Sequence, residues 1–157
     1  MFTVRDARPF DVPAIVGLIR DLAVYEKQPE DCHADGSLLA EHLFGGKRFA
    51  EVVLAEAGDR IVGFTLFFHN YSTWLTRPGL YLEDLFVAPA WRGLGAGEAL
   101  LRHLARLAVA RGCGRMEWSV LKWNEPAIGF YERLGAAPMD GWQVYRLAGD
   151  ALTRLGQ

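Results

Sequence analysis

The chain has 157 residues, 51% of them hydrophobic and 23% charged, with a formal net charge of −2 and an isoelectric point near 6.1. That length suits one domain, over residues 1–157, that buries about 68–70% of its unfolded surface, and the composition excludes a disordered or collagen-like chain. A general nucleic-acid binder carries a basic excess, which this chain lacks.

The opening MFTVRDARPF puts Arg5, Asp6 and Arg8 where a secretory leader needs its apolar core. The residues Thr3 to Ala7 then read as a short strand. Ile15, Leu18, Ile19 and Leu22 follow at helical spacing, with Asp11 placed to cap the helix and Pro13 in its first turn. Pro29 ends that run. A shorter helix is expected through Leu38, Leu39 and Leu43, stopping at Gly45-Gly46. Phe49 to Glu56 and Arg60 to Asn70 read as a hairpin about Gly58-Asp59. Leu80 to Val87 is an apolar strand that holds Glu83 and Asp84.

The segment Arg92-Gly93-Leu94-Gly95-Ala96-Gly97 follows, and then a long helix with Leu100, Leu101, Leu104, Leu107 and Ala108 on one face, ended by Gly112 and Gly114. Met116 to Leu121 is expected as a strand. Asn124 or Glu125 is expected to cap the next helix, with Pro126 in its first turn and Gly135 past its end. Gln143 to Leu147 is expected as a last strand. The order is that of an α+β chain with a mixed sheet.

The longest mostly apolar stretch, Ile61 to Phe68, is far below the ~20 residues of a membrane helix. Cys32 and Cys113 are too few for a disulfide framework and lack metal-ligand spacing. The expected setting is the reducing cytoplasm, with no membrane, nucleic-acid or metal partner.

Three features carry chemistry. The glycine run between a strand and a helix is either a connecting turn or an anion cradle, in which backbone N–H groups and the helix's positive end meet a phosphate. It lacks the third glycine of a dinucleotide fingerprint, since Glu98 stands there, and Gly46-Lys47 followed by Arg48 is no P-loop. Glu83 and Asp84 are neighbours on an apolar strand, so one of them must share a face with Leu82 and Phe86, or with Leu85 and Val87. A buried carboxylate there is either ion-paired, to Arg77 or Arg92, or used to hold a cation or accept its proton. Tyr131, a turn past Ala127, is either packed or a general acid for a thiolate.

Taken together, these segments resemble the GCN5-related N-acetyltransferase superfamily over nearly the whole chain. Arg92 to Gly97 is similar to that family's R/Q-x-x-G-x-G/A motif. LAVYE at Leu22 to Glu26, LYLEDLFV at Leu80 to Val87, WNEP…FYERLGA at Trp123 to Ala136, and Gly141-Trp142 resemble its diamine-acetylating branch, which acts on spermidine, spermine or thialysine. The resemblance implies a splayed mixed sheet flanked by helices, acetyl-coenzyme A as co-substrate, a small amine substrate and a homodimer. It assigns the coenzyme to Leu85, Phe86, Val87, Arg92, Gly93, Leu94, Gly95, Ala96, Gly97, Glu98, Asn124, Ala127 and Tyr131. The amine falls to Tyr25, Glu26, Glu83, Asp84, Asp140 and Trp142, with Glu83 as proton acceptor, through water, and Tyr131 as general acid. Ser72 stands where polyamine enzymes carry an acidic residue, which favours a thialysine-like amino acid over spermine. Acetylation of a protein lysine or N-terminus, and a non-catalytic acyl-coenzyme A-binding regulator, are the alternatives. The presence of both Tyr131 and Glu83 favours catalysis.

Overall fold

The computed structural model describes all residues from Met1 to Gln157 as two compact units, Met1–Ser119 and Val120–Gln157. The first unit holds a five-stranded sheet in the order β1-β2-β3-β4-β5. Its strands are β1 (Thr3–Asp6), β2 (Glu51–Ala57), β3 (Arg60–Ser72), β4 (Arg77–Val87) and β5 (Met116–Glu117). The neighbours from β1 to β4 pair antiparallel, and β4 pairs with β5 in parallel, so the sheet is mixed as expected.

Helices cover both faces. On one, α1 (Val12–Tyr25) and α2 (Gly36–Phe44) supply Ile15, Leu18, Leu22 and Leu43 to a core with Val52, Leu54, Phe64 and Phe86. On the other, α3 (Ala96–Ala110) buries Leu100, Leu101, Leu104 and Ala108 and contacts β2, β3 and β4. Each fully buried leucine or phenylalanine is worth about 1.5–3 kcal/mol, so these two seams hold the sheet.

Two departures from regular pairing matter for the site. β5 pairs with β4 only at Leu80↔Met116 and Tyr81↔Glu117, so Leu82 to Val87 runs on with its outer edge unpaired by β5. This is the splay that the family resemblance implies. Second, the β3–β4 register passes from Leu66↔Asp84 to Phe67↔Leu82, which makes Glu83 the extra residue of a β-bulge. Strict alternation therefore fails here. Asp84 shares a face with Phe86, Leu66 and Phe64, whereas Leu82 lies with Leu85 on the α3 side.

Other local expectations change as well. Asp11 precedes α1, but its side chain makes no cap to that helix. It accepts the Arg8 N–H at 2.7 Å and two bonds from Arg5, because a cation competes better for a carboxylate than a neutral amide does. Asp35 caps α2 through the Leu38 N–H at 2.9 Å. The expected strand from Met116 to Leu121 shortens to two residues, since the splay removes its partner.

The second unit contains α4 (Glu125–Arg133) and α5 (Gly149–Leu155). Asn124 occupies the N-cap position of α4, with no side-chain cap bond, and Pro126 sits in the first turn. The expected strand at Gln143–Leu147 is absent. Its alternation is real, but a strand needs a neighbour to satisfy its backbone, and here Val144 and Tyr145 are 84% and 89% exposed. The helix α5 was not legible in the sequence.

Candidate functional site

The glycine run forms a cradle at the start of α3. Gly93 and Gly95 have φ of +75° and +97°, in the left-handed region that side chains resist, and a Cβ at either would meet open space. The backbone there faces open space on its outer side. Its first intrahelical bond runs from the Ala99 N–H to the Gly95 carbonyl, so the N–H groups of Ala96, Gly97 and Glu98 have no partner within the helix. These donors, with the helix's positive end, fit a pyrophosphate. The Glu98 carboxylate is drawn aside to Arg102 at 2.7 Å. Leu94 is exposed beside the cradle.

Arg92 fixes the cradle to the sheet. Its Nε donates to the Val87 carbonyl at 2.9 Å. Its guanidinium lies 4.5 Å from the centre of the Tyr25 ring and 5.1 Å from that of Phe86. Tyr25 and Phe86 are themselves 6.4 Å apart, ring to ring. The last turn of α1, the end of β4 and the cradle are thereby joined by one cation on two aromatic faces.

Three carboxylates gather at this junction. Glu26 terminates α1, its N–H bonded to the Leu22 carbonyl at 2.8 Å. Burial raises its pKa, and the Glu83 charge adds to the rise. Asp84, on the α1 face of β4, is pushed up to about 7, first by burial and then by the charges of Glu83 and Glu26. Glu83, carried outward by the bulge, is exposed. Like charges held together in a partly dry corner suit one visitor, a cation.

The first unit therefore brings together Tyr25, Glu26, Glu83, Asp84, Leu85, Phe86, Val87 and the loop from Arg92 to Glu98. In the second unit, Asn124 is buried at the start of α4, while Ala127 and Tyr131 are half-buried along it. Asp140 and Trp142 follow that helix and are exposed. Ser72 is not a free loop hydroxyl. It is 6% exposed, and its Oγ accepts the Leu75 N–H at 3.2 Å, bracing the β3–β4 turn. Sequence reasoning missed the bulge and the stacking of Arg92. The adjacent Glu83-Asp84 pair in an apolar strand was the one signal for the bulge.

A model of the acetyltransferase (GNAT) family matches residues 17–136. The thialysine N-epsilon-acetyltransferase of Bos taurus is 34% identical over 163 residues, 97% of this chain and 95% of that protein. The L-ornithine N5-acetyltransferase of Arabidopsis thaliana is 34% identical over 194 residues, 95% of this chain and 85% of that one. Among solved structures, an integron cassette protein from the mobile metagenome of V. cholerae matches with a TM-score of 0.83 at 26% identity, covering 99% of this chain and 98% of the other. The mixed sheet that opens between β4 and β5, with the glycine loop at the start of α3, is the fold shared with these relatives, an acyl-transferring class. The chain belongs to the acetyltransferase (GNAT) family and is an N-acetyltransferase.

Proposed function

We propose that the protein moves the acetyl group of acetyl-coenzyme A onto the terminal primary amine of a small cationic substrate, a thialysine-like amino acid or a di- or polyamine. The observation that carries this reading is the carboxylate corner of Glu26, Glu83 and Asp84 beside the Gly93–Gly97 cradle. The names of the relatives, which act on thialysine and ornithine, support it.

An aliphatic ammonium of pKa ~10.4 cannot attack a carbonyl until it loses a proton. The corner attracts the cation and a β4 carboxylate takes that proton. The cradle N–H groups and Arg92 hold the coenzyme's phosphates, with Asn124 and Ala127 as further contacts. The unpaired β4 edge at Leu85, Phe86 and Val87 offers backbone groups to the rest of the coenzyme, including an N–H for the thioester oxygen. Tyr131 protonates the departing sulfur. Tyr25 borders the corner, and the resemblance to the diamine-acetylating branch adds Asp140 and Trp142 to the amine-binding residues. Ser72, neutral and engaged in its own turn, supplies no counter-charge to a distant second ammonium, which favours short substrates.

The reading includes a cytoplasmic homodimer. Light scattering reporting a monomer at working concentration refutes that part. No helix is long and apolar enough to cross a membrane.

The test is thiol release from acetyl-coenzyme A over a panel of thialysine, lysine, ornithine, spermidine and spermine. Thialysine or ornithine should give a larger kcat/KM than spermine. A panel without turnover rejects the substrate class. Tyr131→Phe should lower kcat by ~10²–10⁴-fold, the usual worth of a general acid. A fall under threefold, with chemistry rate-limiting, makes Tyr131 a packing residue.

A further inference from the structure

The chain leaves β4 through a single turn at Pro89–Trp91, just after the Ala88 N–H has reached the Val62 carbonyl at 2.8 Å. Arg92 follows that turn and begins the glycine loop. Its side chain runs back over the strand the chain has just left. Nε donates to the Val87 carbonyl at 2.9 Å, and the guanidinium carbon lies over the Phe86 ring at 5.1 Å and the Tyr25 ring at 4.5 Å. Phe86 is buried in the core, and Tyr25 is the last residue of α1. A guanidinium stacks by its faces and donates by its edge, so this stacking does not consume the edge N–H groups that meet a phosphate.

The residue joined to Tyr25 is Glu26, one of the corner carboxylates. Directly after it the backbone turns sharply, because Lys27 has a φ of +63°, in the left-handed region that a side chain resists. Three N–H groups close this helix end: Glu26 to the Leu22 carbonyl at 2.8 Å, Lys27 to Val24 at 3.0 Å and Gln28 to Ala23 at 2.9 Å. Helix ends fray, and a strained residue persists only where its surroundings hold it. The Arg92 stack holds this end from the cradle, and the Phe86 ring, 6.4 Å from that of Tyr25, holds it from the sheet.

We propose that the Arg92 side chain is a positioning residue for the amine: by clamping Tyr25 to Phe86 it sets where the Glu26 carboxylate stands against β4. The inference rests on the amine-acetylating reading above. The charge of Glu26 is felt at Asp84, so the two carboxylates stand close enough for one cation to meet both. Their attraction for that cation falls with distance, so an α1 end that swings free loosens the hold on an ammonium. The backbone N–H groups of the cradle keep their places when it does. Arg92 therefore serves the coenzyme by its charge and the amine by its planar shape.

The experiment is a double-variant cycle on Arg92 and Tyr25, with the KM of thialysine at saturating acetyl-coenzyme A and coenzyme A affinity by calorimetry. Arg92→Lys keeps the charge and loses the plane and the fork. It should raise the thialysine KM by ~2–30-fold, the worth of a cation–π contact, and weaken coenzyme A by a smaller factor. Tyr25→Leu should raise that KM by a similar factor. The double variant should stay within about twofold of the poorer single one, because both changes remove one contact. Losses that multiply, or an Arg92→Lys that weakens coenzyme A and spares the amine, overturn the proposal.

Hydrogen exchange gives a readout that needs no substrate. The amides of Glu26, Lys27 and Gln28 should exchange several-fold faster in Arg92→Lys and in Tyr25→Leu, while those of α3 keep their protection. Tyr25→Leu carries this readout even if Arg92→Lys fails to fold, and unchanged exchange in the folded variants overturns the proposal. A wild type that acetylates no amine overturns the amine-acetylating reading, and faster exchange then still shows Arg92 holding the end of α1.

Discussion

Asp11 is buried and Asp84 half-buried in the same unit, and they are held in opposite ways. Asp11 is 3% exposed and fully answered: two nitrogens of Arg5 donate to it at 2.8 and 3.0 Å, and the Arg8 N–H at 2.7 Å. Those bonds hold its carboxyl below the usual carboxylate range. Arg5 also reaches Glu56 at 2.6 Å, so one guanidinium joins β1, β2 and the start of α1. Asp84 meets no cation, and its nearest charges are two more carboxylates. A buried charge that is neutralised within the fold serves the fold. One that is left unanswered stores a cost that a proton or a visiting cation relieves.

The largest expected effect tests the answered side. Asp11→Asn removes the charge from one of the two carboxylates that hold Arg5, and losing a charged hydrogen-bonded partner typically costs about 1.5–3 kcal/mol. Urea denaturation at pH 7 should show a loss of about that size. The pH dependence has a definite sign. Because the folded pKa of Asp11 is depressed, its stabilisation is present above the unfolded value of about 3.9 and disappears as pH falls through the folded one. The variant should therefore lose less stability than wild type on acidification. A loss under 1 kcal/mol makes the Arg5–Asp11 pair ornamental, and the contrast with Asp84 fails.

The unanswered side predicts the reverse. Asp84 titrates near 7 when folded, so the stability linked to it is fully present below its unfolded pKa and is lost as pH rises through about 7. Asp84→Asn removes that loss. At pH 8 it should raise stability by roughly 1–3 kcal/mol, or several degrees in Tm, while acetylation of a cationic amine falls. A variant that is both less stable at pH 8 and less active places Asp84 among ordinary structural residues.

Legibility in the sequence follows the same division. Helix α3 and its cradle were readable, because leucines at helical spacing and clustered glycines are local signals. So was the Glu83-Asp84 pair, since charges rarely sit in an apolar strand. Which of the two turns inward was not readable. That depends on a one-residue register slip between β3 and β4, set by pairing across the sheet. The Arg5–Asp11 bond was missed for a related reason. Asp11 carries the local signature of a helix cap, and the stronger partner stands on another element. Gln143–Leu147 shows the converse error, since alternation alone predicted a strand that lacks a neighbour to pair with. The coenzyme roles given to Asn124, Ala127 and Tyr131 in the second unit rest on a motif alone, because their spacing along α4 also fits plain packing.

The smallest effect sharpens the comparison most, because it asks whether the corner acts as one electrostatic unit. Glu26 lies on α1 and Asp84 on β4, so they interact through space and not through a shared backbone. Between them, the charge on Glu83 weighs more on Asp84 than the charge on Glu26 does. Glu26→Gln keeps the shape of the side chain and removes its charge. With a β4 carboxylate as proton acceptor, the acidic limb of the pH–rate profile should then move to lower pH by a few tenths of a unit, in the same direction as in a Glu83→Gln variant and by less. The KM of a cationic amine should rise severalfold at most, since a single half-exposed ion pair is worth about 0–1 kcal/mol. Salt should shrink both changes, because half-exposed charges are screened within a Debye length of about 10 Å at 0.1 M. A limb that stays in place in Glu26→Gln but moves in Glu83→Gln confines the coupling to β4. In that case α1 contributes only the burial of Asp84 and not its charge.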